Sequence, residues 1–184
     1  AREVASLYAA AQVVNSSLRL EEVLRAIAAQ AMDVLEADHA NVALLTEQGE
    51  IVTAVQSGRA IDHLWVPARQ DGVTRRVLRT GEPAVFDEVP EDGAHNPGLI
   101  ASGVQSYAVA PLTIGGKVEG VLLLHSLRPA AFGDRMDLVE AFANQAAVAV
   151  TNARLFEEVT RGRHGLQQLS RRLLEVQEAE RRHL

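Results

Sequence analysis

The stretch SYAVAPLTIGGKVEGVLLLH, residues 106–125, decides how the rest of the chain is read. Apolar runs at 106–112 and 118–125 flank Gly115-Gly116, and two such runs joined through paired glycines predict a β-hairpin of central strands. Alternation along the first run sends Tyr107 and Val109 to one face of the sheet and Ala108 and Ala110 to the other. Small alanines suit the close approach of a helix, so Tyr107 and Val109 are expected to look into a cavity on the opposite side. Val121, Leu123 and His125 share a face by the same rule, with both faces open to them.

Upstream, Ala40-Asn41-Val42-Ala43-Leu44-Leu45, a Glu47-Gln48-Gly49 turn and Ile51-Val52-Thr53-Ala54-Val55 predict a second antiparallel hairpin that ends by Gly58. Before it, Leu20, Val23, Leu24, Ile27, Ala31, Val34 and Leu35 recur at helical spacing, with Glu21 and Glu22 in the first turn where the dipole favours carboxylates. Val4, Leu7, Tyr8, Ala11 and Val14 predict an earlier helix that stops at Ser16-Ser17. Between the hairpins the pattern is irregular: a short helix over 73–78, a short strand at Ala84-Val85-Phe86, and breaks at Pro90, Gly93, Pro97 and Gly98. An insert of this length carries function or is disordered.

Downstream, Pro129 and Gly133 close the central unit, and Asp134 is the expected N-cap of a helix reaching at least Val159. Met136, Val139, Phe142, Ala143, Ala146, Val150 and Ala153 form one apolar stripe on it, while Leu138, Ala141, Val148 and Leu155 form another. Two apolar flanks call for two partners, the helix's own sheet and a second subunit. After an expected weak point at Gly162 and Gly165, Leu166, Leu169, Leu173 and Val176 fit the core positions of about two heptads of coiled coil.

Composition narrows the function. With 184 residues and 47% hydrophobic content, one globular domain with a helical extension fits and a second full domain does not. A net charge of -6 offers no basic field for nucleic acid or an anionic membrane. The absence of cysteine removes disulfides, thiolate metal sites, thiol nucleophiles and thioether attachment of a bilin. No run approaches the roughly 18 to 20 apolar residues of a membrane span, which predicts a soluble, cytoplasmic segment. The opening Ala1-Arg2-Glu3-Val4 lies inside a helical pattern with neither an initiator Met nor a leader, so the chain reads as a piece of something longer, tethered upstream or not.

This order of elements resembles the GAF domain, an α+β, PAS-related fold. Leu20-Glu21-Glu22-Val23-Leu24, Gly81-Glu82-Pro83, the 106–112 strand leading into Gly120-Val121-Leu122-Leu123-Leu124, and Ala141-Phe142-Ala143-Asn144-Gln145-Ala146-Ala147 followed by Asn152-Ala153-Arg154-Leu155 carry the likeness. It implies an antiparallel sheet of about six strands, helices packed on one face, a ligand cavity on the other and a long C-terminal signalling helix. The segment 173–184 is similar to the lead-in to the dimerisation and phosphoacceptor helix of nitrate-sensor-type histidine kinases. On that likeness His183 is an ordinary lead-in residue. Its Glu and Arg residues at three and four spacing suit a helix that continues.

The resemblance divides the chain into an N-terminal dimerisation helix at 1–16, a sensor domain at 17–160 and a coiled-coil linker at 161–184 leading to a phosphoacceptor domain. It implies a homodimer whose C-terminal helix passes a small-molecule or redox signal in cis to a kinase core and, through the full-length protein, to a response regulator. No catalytic residue, metal or required cofactor is expected in this segment. The candidate ligand-binding residues are Trp65, His95, Leu99, Tyr107, Val109, Leu123 and His125. The candidate dimer contacts are Val4, Leu7, Leu138, Ala141, Val148, Leu155, Leu166, Leu169, Leu173 and Val176.

Each signal has a plainer reading. Some GAF domains of this kinase class hold haem through a histidine just before the strand that begins here at Ser106, but Ala101-Ser102-Gly103 occupies that place and His95 lies further upstream. Haem therefore stands as an alternative beside histidines that are merely surface or hydrogen-bonded groups. Trp65, near His63, would wall a buried small molecule or plug the core as a lid. Arg75, Arg76 and Arg79, with Arg69 nearby, would neutralise an anionic ligand or form the solvated face of a short helix. The spaced Asn-Lys-Phe-Asp-Glu signature of cyclic-nucleotide-binding GAF domains has no equivalent, and GAF-fold methionine-sulfoxide reductases need the cysteines this chain lacks. A ligand-free dimerisation spacer shares the fold with the sensor and is the other function carried forward.

Overall fold

A computed structural model describes the backbone of residues 2–58, 71–89 and 97–182, and the side chains of 19–58, 71–89 and 97–170. Trp65, His95, His63 and Arg69 lie outside the described residues, as do the side chains of Val4, Leu7, Leu173 and Val176. In chain order the elements are α1 (Arg2–Leu35), β1 (His39–Leu45), β2 (Ile51–Gly58), α2 (Val73–Thr80), β3 (Ala84–Phe86), α3 (Pro97–Ala101), β4 (Ser106–Ile114), β5 (Lys117–Ser126) and α4 (Met136–Arg182). Two compact units result, Leu18–Val150 and the outer parts of α1 and α4.

Within Leu18–Val150 the five described strands form one antiparallel sheet in the order β2-β1-β5-β4-β3. The hairpin at 106–125 supplies two inner strands, as its apolar runs predict, with Gly115 and Gly116 both at positive φ in the turn. One face carries Ala108, Ala110, Leu112, Leu122 and Leu124, and packs on Leu24, Ala28, Ala31 and Leu35 of α1 and on Val139, Phe142, Ala143, Ala146 and Val150 of α4. Burial of each large aliphatic side chain here stabilises the fold by about 1.5 to 3 kcal/mol. The other face carries Tyr107, Val109 and Val121, and packs with Val77 of α2, Leu99 of α3 and Val104. Alternation thus places Tyr107 and Val109 away from the long helices, and the alanines beneath them.

Three expectations are corrected. α1 runs unbroken through Ser16-Ser17. Serine only weakly disfavours a helix interior, and the stretch has neither Gly nor Pro to interrupt the hydrogen-bond ladder. α4 likewise runs through Gly162 and Gly165, each with open space where a Cβ would stand and neither at positive φ. The cost of a helical glycine, about 1 kcal/mol, is spread over a 47-residue helix rather than breaking it. Asp134 is not the N-cap of α4, because a 3-10 turn at Gly133–Arg135 precedes that helix and contains it. The short helix α3, unforeseen among the breakers, starts at Pro97, whose missing N–H costs nothing at a first helical position.

Candidate functional site

The face of the sheet away from the long helices is organised in cross-strand rows. Directly paired residues point the same way, so the register Phe86–Tyr107–His125–His39 forms one row across β3, β4, β5 and β1. The Phe86 and Tyr107 rings stack at 4.8 Å, those of Tyr107 and His125 lie 6.0 Å apart, and those of His125 and His39 lie 5.3 Å apart. The next row is Ala84–Val109–Leu123–Asn41–Gln56. His125, whose face the sequence leaves open, therefore belongs with Tyr107.

The two histidines are buried and face each other, with Nδ1 to Nδ1 at 3.2 Å. Gln56 Nε2 lies 2.8 Å from His39 Nε2. An amide nitrogen only donates, so in this orientation His39 Nε2 accepts and the His39 proton sits on Nδ1. That proton is donated to His125 Nδ1, which leaves the His125 proton on Nε2. The relay Gln56 to His39 to His125 needs both imidazoles neutral. Burial, and secondly the neighbouring His39, push the His125 pKa from 6.5 down to about 3.

Asn41 adds a polar group that is not satisfied. Its Oδ1 is buried and has no hydrogen-bond partner. A buried acceptor left unpaired costs about 1 to 3 kcal/mol, a debt that a donor from a bound molecule would cancel. Among the described residues no group of three or more His, Asp or Glu is placed to hold a metal ion.

Of the residues proposed for ligand binding, Tyr107, Val109, Leu123 and His125 come together on this face, and Leu99 covers it from α3. Trp65 and His95 lie outside the described residues. Sequence reading missed His39, Asn41 and Gln56. The signal is present, since His39 and Asn41 alternate with Ala40 and Val42, but the apolar pattern of the strand begins only at Ala40, one residue after His39.

The GAF domain profile matches residues 19–150. No curated protein matches the chain. Among solved structures, the chain is similar to the photoproduct state of a GAF3 domain from Synechocystis sp. PCC6803, with 20% identity and a TM-score of 0.63 over 76% of this chain and 98% of that one. It is similar to a domain of a protein assigned as a two-component sensor histidine kinase from Sinorhizobium meliloti 1021, with 22% identity and a TM-score of 0.58 over 77% of this chain and 96% of that one. It is also similar to a type II free methionine-R-sulfoxide reductase from Thermoplasma acidophilum, with 19% identity and a TM-score of 0.58 over 72% of this chain and 96% of that one. At these identities the likeness speaks for the fold alone.

Proposed function

The chain belongs to the GAF domain family, and on that premise we propose that it is the homodimeric sensory input module of a two-component histidine kinase, passing a small-molecule signal through α4. The observation that carries this reading is the second flank of α4. Because the helix is continuous, positions 138, 141, 145, 148, 152, 155, 159, 162, 166 and 169 fall in one heptad frame of alternating three and four steps. Leu138, Val148, Leu155, Val159, Leu166 and Leu169 on it are all exposed, the last five by more than half of their surface. A seam of this length has the pattern of a coiled coil between two copies, and Gln145 and Asn152 at seam positions would hold the copies in register.

The other end of the reading is the polar cluster on the sheet. A ligand that donates to Asn41 would reward one arrangement of the cover formed by α2 and α3, and a signal requires such a difference in affinity between two arrangements. Catalysis is not part of this reading. The chain has no cysteine with which to perform the thiol chemistry of a methionine-sulfoxide reductase. No described helix is long and apolar enough to cross a membrane.

Native mass spectrometry of freshly purified protein tests both ends, and is expected to give twice the chain mass together with a retained small molecule. A haem mass would select the haem alternative. A single-chain mass would overturn the dimer. Replacing Leu166 and Leu169 together by Glu is expected to raise the dimer dissociation constant at least about 100-fold, since each buried leucine contributes about 2 kcal/mol and a seam carboxylate adds repulsion. Sedimentation velocity at micromolar concentration reads this as a shift to monomer, with the thermal transition of the sheet domain unchanged. A ligand-free spacer is favoured instead by the dense side-chain filling around Tyr107, Val109 and Val121. A dimer carrying no small molecule would select it.

A further inference from the structure

We propose that the groove between α2 and the β1–β2 turn is a second binding site, separate from the histidine row, for a small oxyanion such as a phosphate or a dicarboxylate. The groove has a volume of about 360 Å³, the size of a metabolite site. Leu45 and Gly49 of the hairpin form one wall, and Gly72, Arg75, Arg76 and Arg79 the other. The N-cap Gly72 and the three α2 arginines recur at three, one and three residues, which puts them on a single helical stripe, while Val77 turns into the core at zero exposure.

Three observations raise this stripe above a merely solvated helix face. Arg75 Nε is buried and has no hydrogen-bond partner, a placement that costs free energy unless an acceptor enters the groove. Among the described residues no carboxylate pairs with Arg75, Arg76 or Arg79, and Asp71 is the lone acidic group in the lining. α2 has no acidic residue in its first turn, and its N-cap is Gly72, which has no side chain to bond the free N–H groups there. Guanidinium forks match the paired oxygens of carboxylate and phosphate, and the helix dipole adds to their field. Leu45 and His39 stand at opposite ends of β1, six residues and so about 20 Å apart, which separates this groove from the histidine row.

Isothermal titration of the whole chain at low ionic strength tests the site, with inorganic phosphate in one arm and succinate in the other. Saturable binding of at least one anion is expected, with a dissociation constant below about 1 mM. Arg75→Gln and Arg79→Gln should each weaken it about tenfold or more, whereas Arg19→Gln, on exposed surface of α1, should leave it unchanged. The arm that saturates identifies the anion. No saturable heat in either arm, or equal weakening by Arg19→Gln, overturns the proposal. Should Arg75→Gln fail to fold, the exposed Arg79→Gln decides alone.

Discussion

Gly120→Ala is expected to cost the domain roughly 3 kcal/mol or more, a large part of the 5 to 15 kcal/mol that holds such a domain together. Gly120 lies in β5 between Leu44 of β1 and Leu112 of β4. Both partner strands carry a register shift close by, between Val42 and Ala43 and between Leu112 and Thr113. A Cβ on Gly120 would stand 2.6 Å from the Ala43 carbonyl oxygen and 2.9 Å from Leu44 Cδ2. The leucine could rotate aside, but the carbonyl belongs to the backbone of a paired central strand. Relief therefore requires the β1–β5 ladder to open. Urea denaturation followed by circular dichroism measures the loss. Gly115→Ala makes the contrast, because nothing lies within 4 Å of its Cβ position and only its φ of 58° opposes the change, at about 1 kcal/mol. Equal midpoints for the two variants would show that the close approach at Gly120 relaxes freely.

Acidification is expected to weaken the fold before its carboxylates titrate. In the folded protein His125 stays neutral down to about pH 3, whereas the unfolded chain protonates it at 6.5. The unfolded state thus binds the extra proton, so stability is complete above pH 6.5 and declines as pH falls from 6.5 toward 3. Between pH 6.5 and about 5 the loss should be roughly 2 kcal/mol, at 1.36 kcal/mol per pH unit. His125→Asn removes the titration while offering Asn Oδ1 near the place of Nδ1, where it can still accept from His39. Denaturation curves across this window should flatten in that variant. An unchanged slope would show that His125 is protonated in the folded state without cost.

The sequence-level reading reached furthest where periodicity met burial. The 106–125 hairpin, the β1–β2 hairpin, the short β3 and the core stripe of α4 all follow from local patterns of apolar residues, because each such pattern has one way to hide itself. Helix ends were read less well. Ser16-Ser17 and Gly162 look like stops locally, yet a long helix absorbs a weak residue when the turns on both sides of it are already formed. Of the candidate site, strand parity groups Tyr107 with Val109 and Leu123 with His125, but that the two pairs share one face, and that His39 and Gln56 join them from other strands, follows only from register.

By itself, the order of residues determined the two hairpins, the alternation along each central strand and the exclusion of thiol chemistry, since composition and alternation act over a few neighbours at a time, while the fold family entered as a resemblance carried by short motifs. Tertiary structure alone decided that His39 meets His125 across 86 positions of chain, that Arg75 buries a nitrogen without a partner, and that Gly120 must have no side chain. Those outcomes depend on which strands pair and in what register, and pairing is a property of the assembled sheet rather than of any single segment.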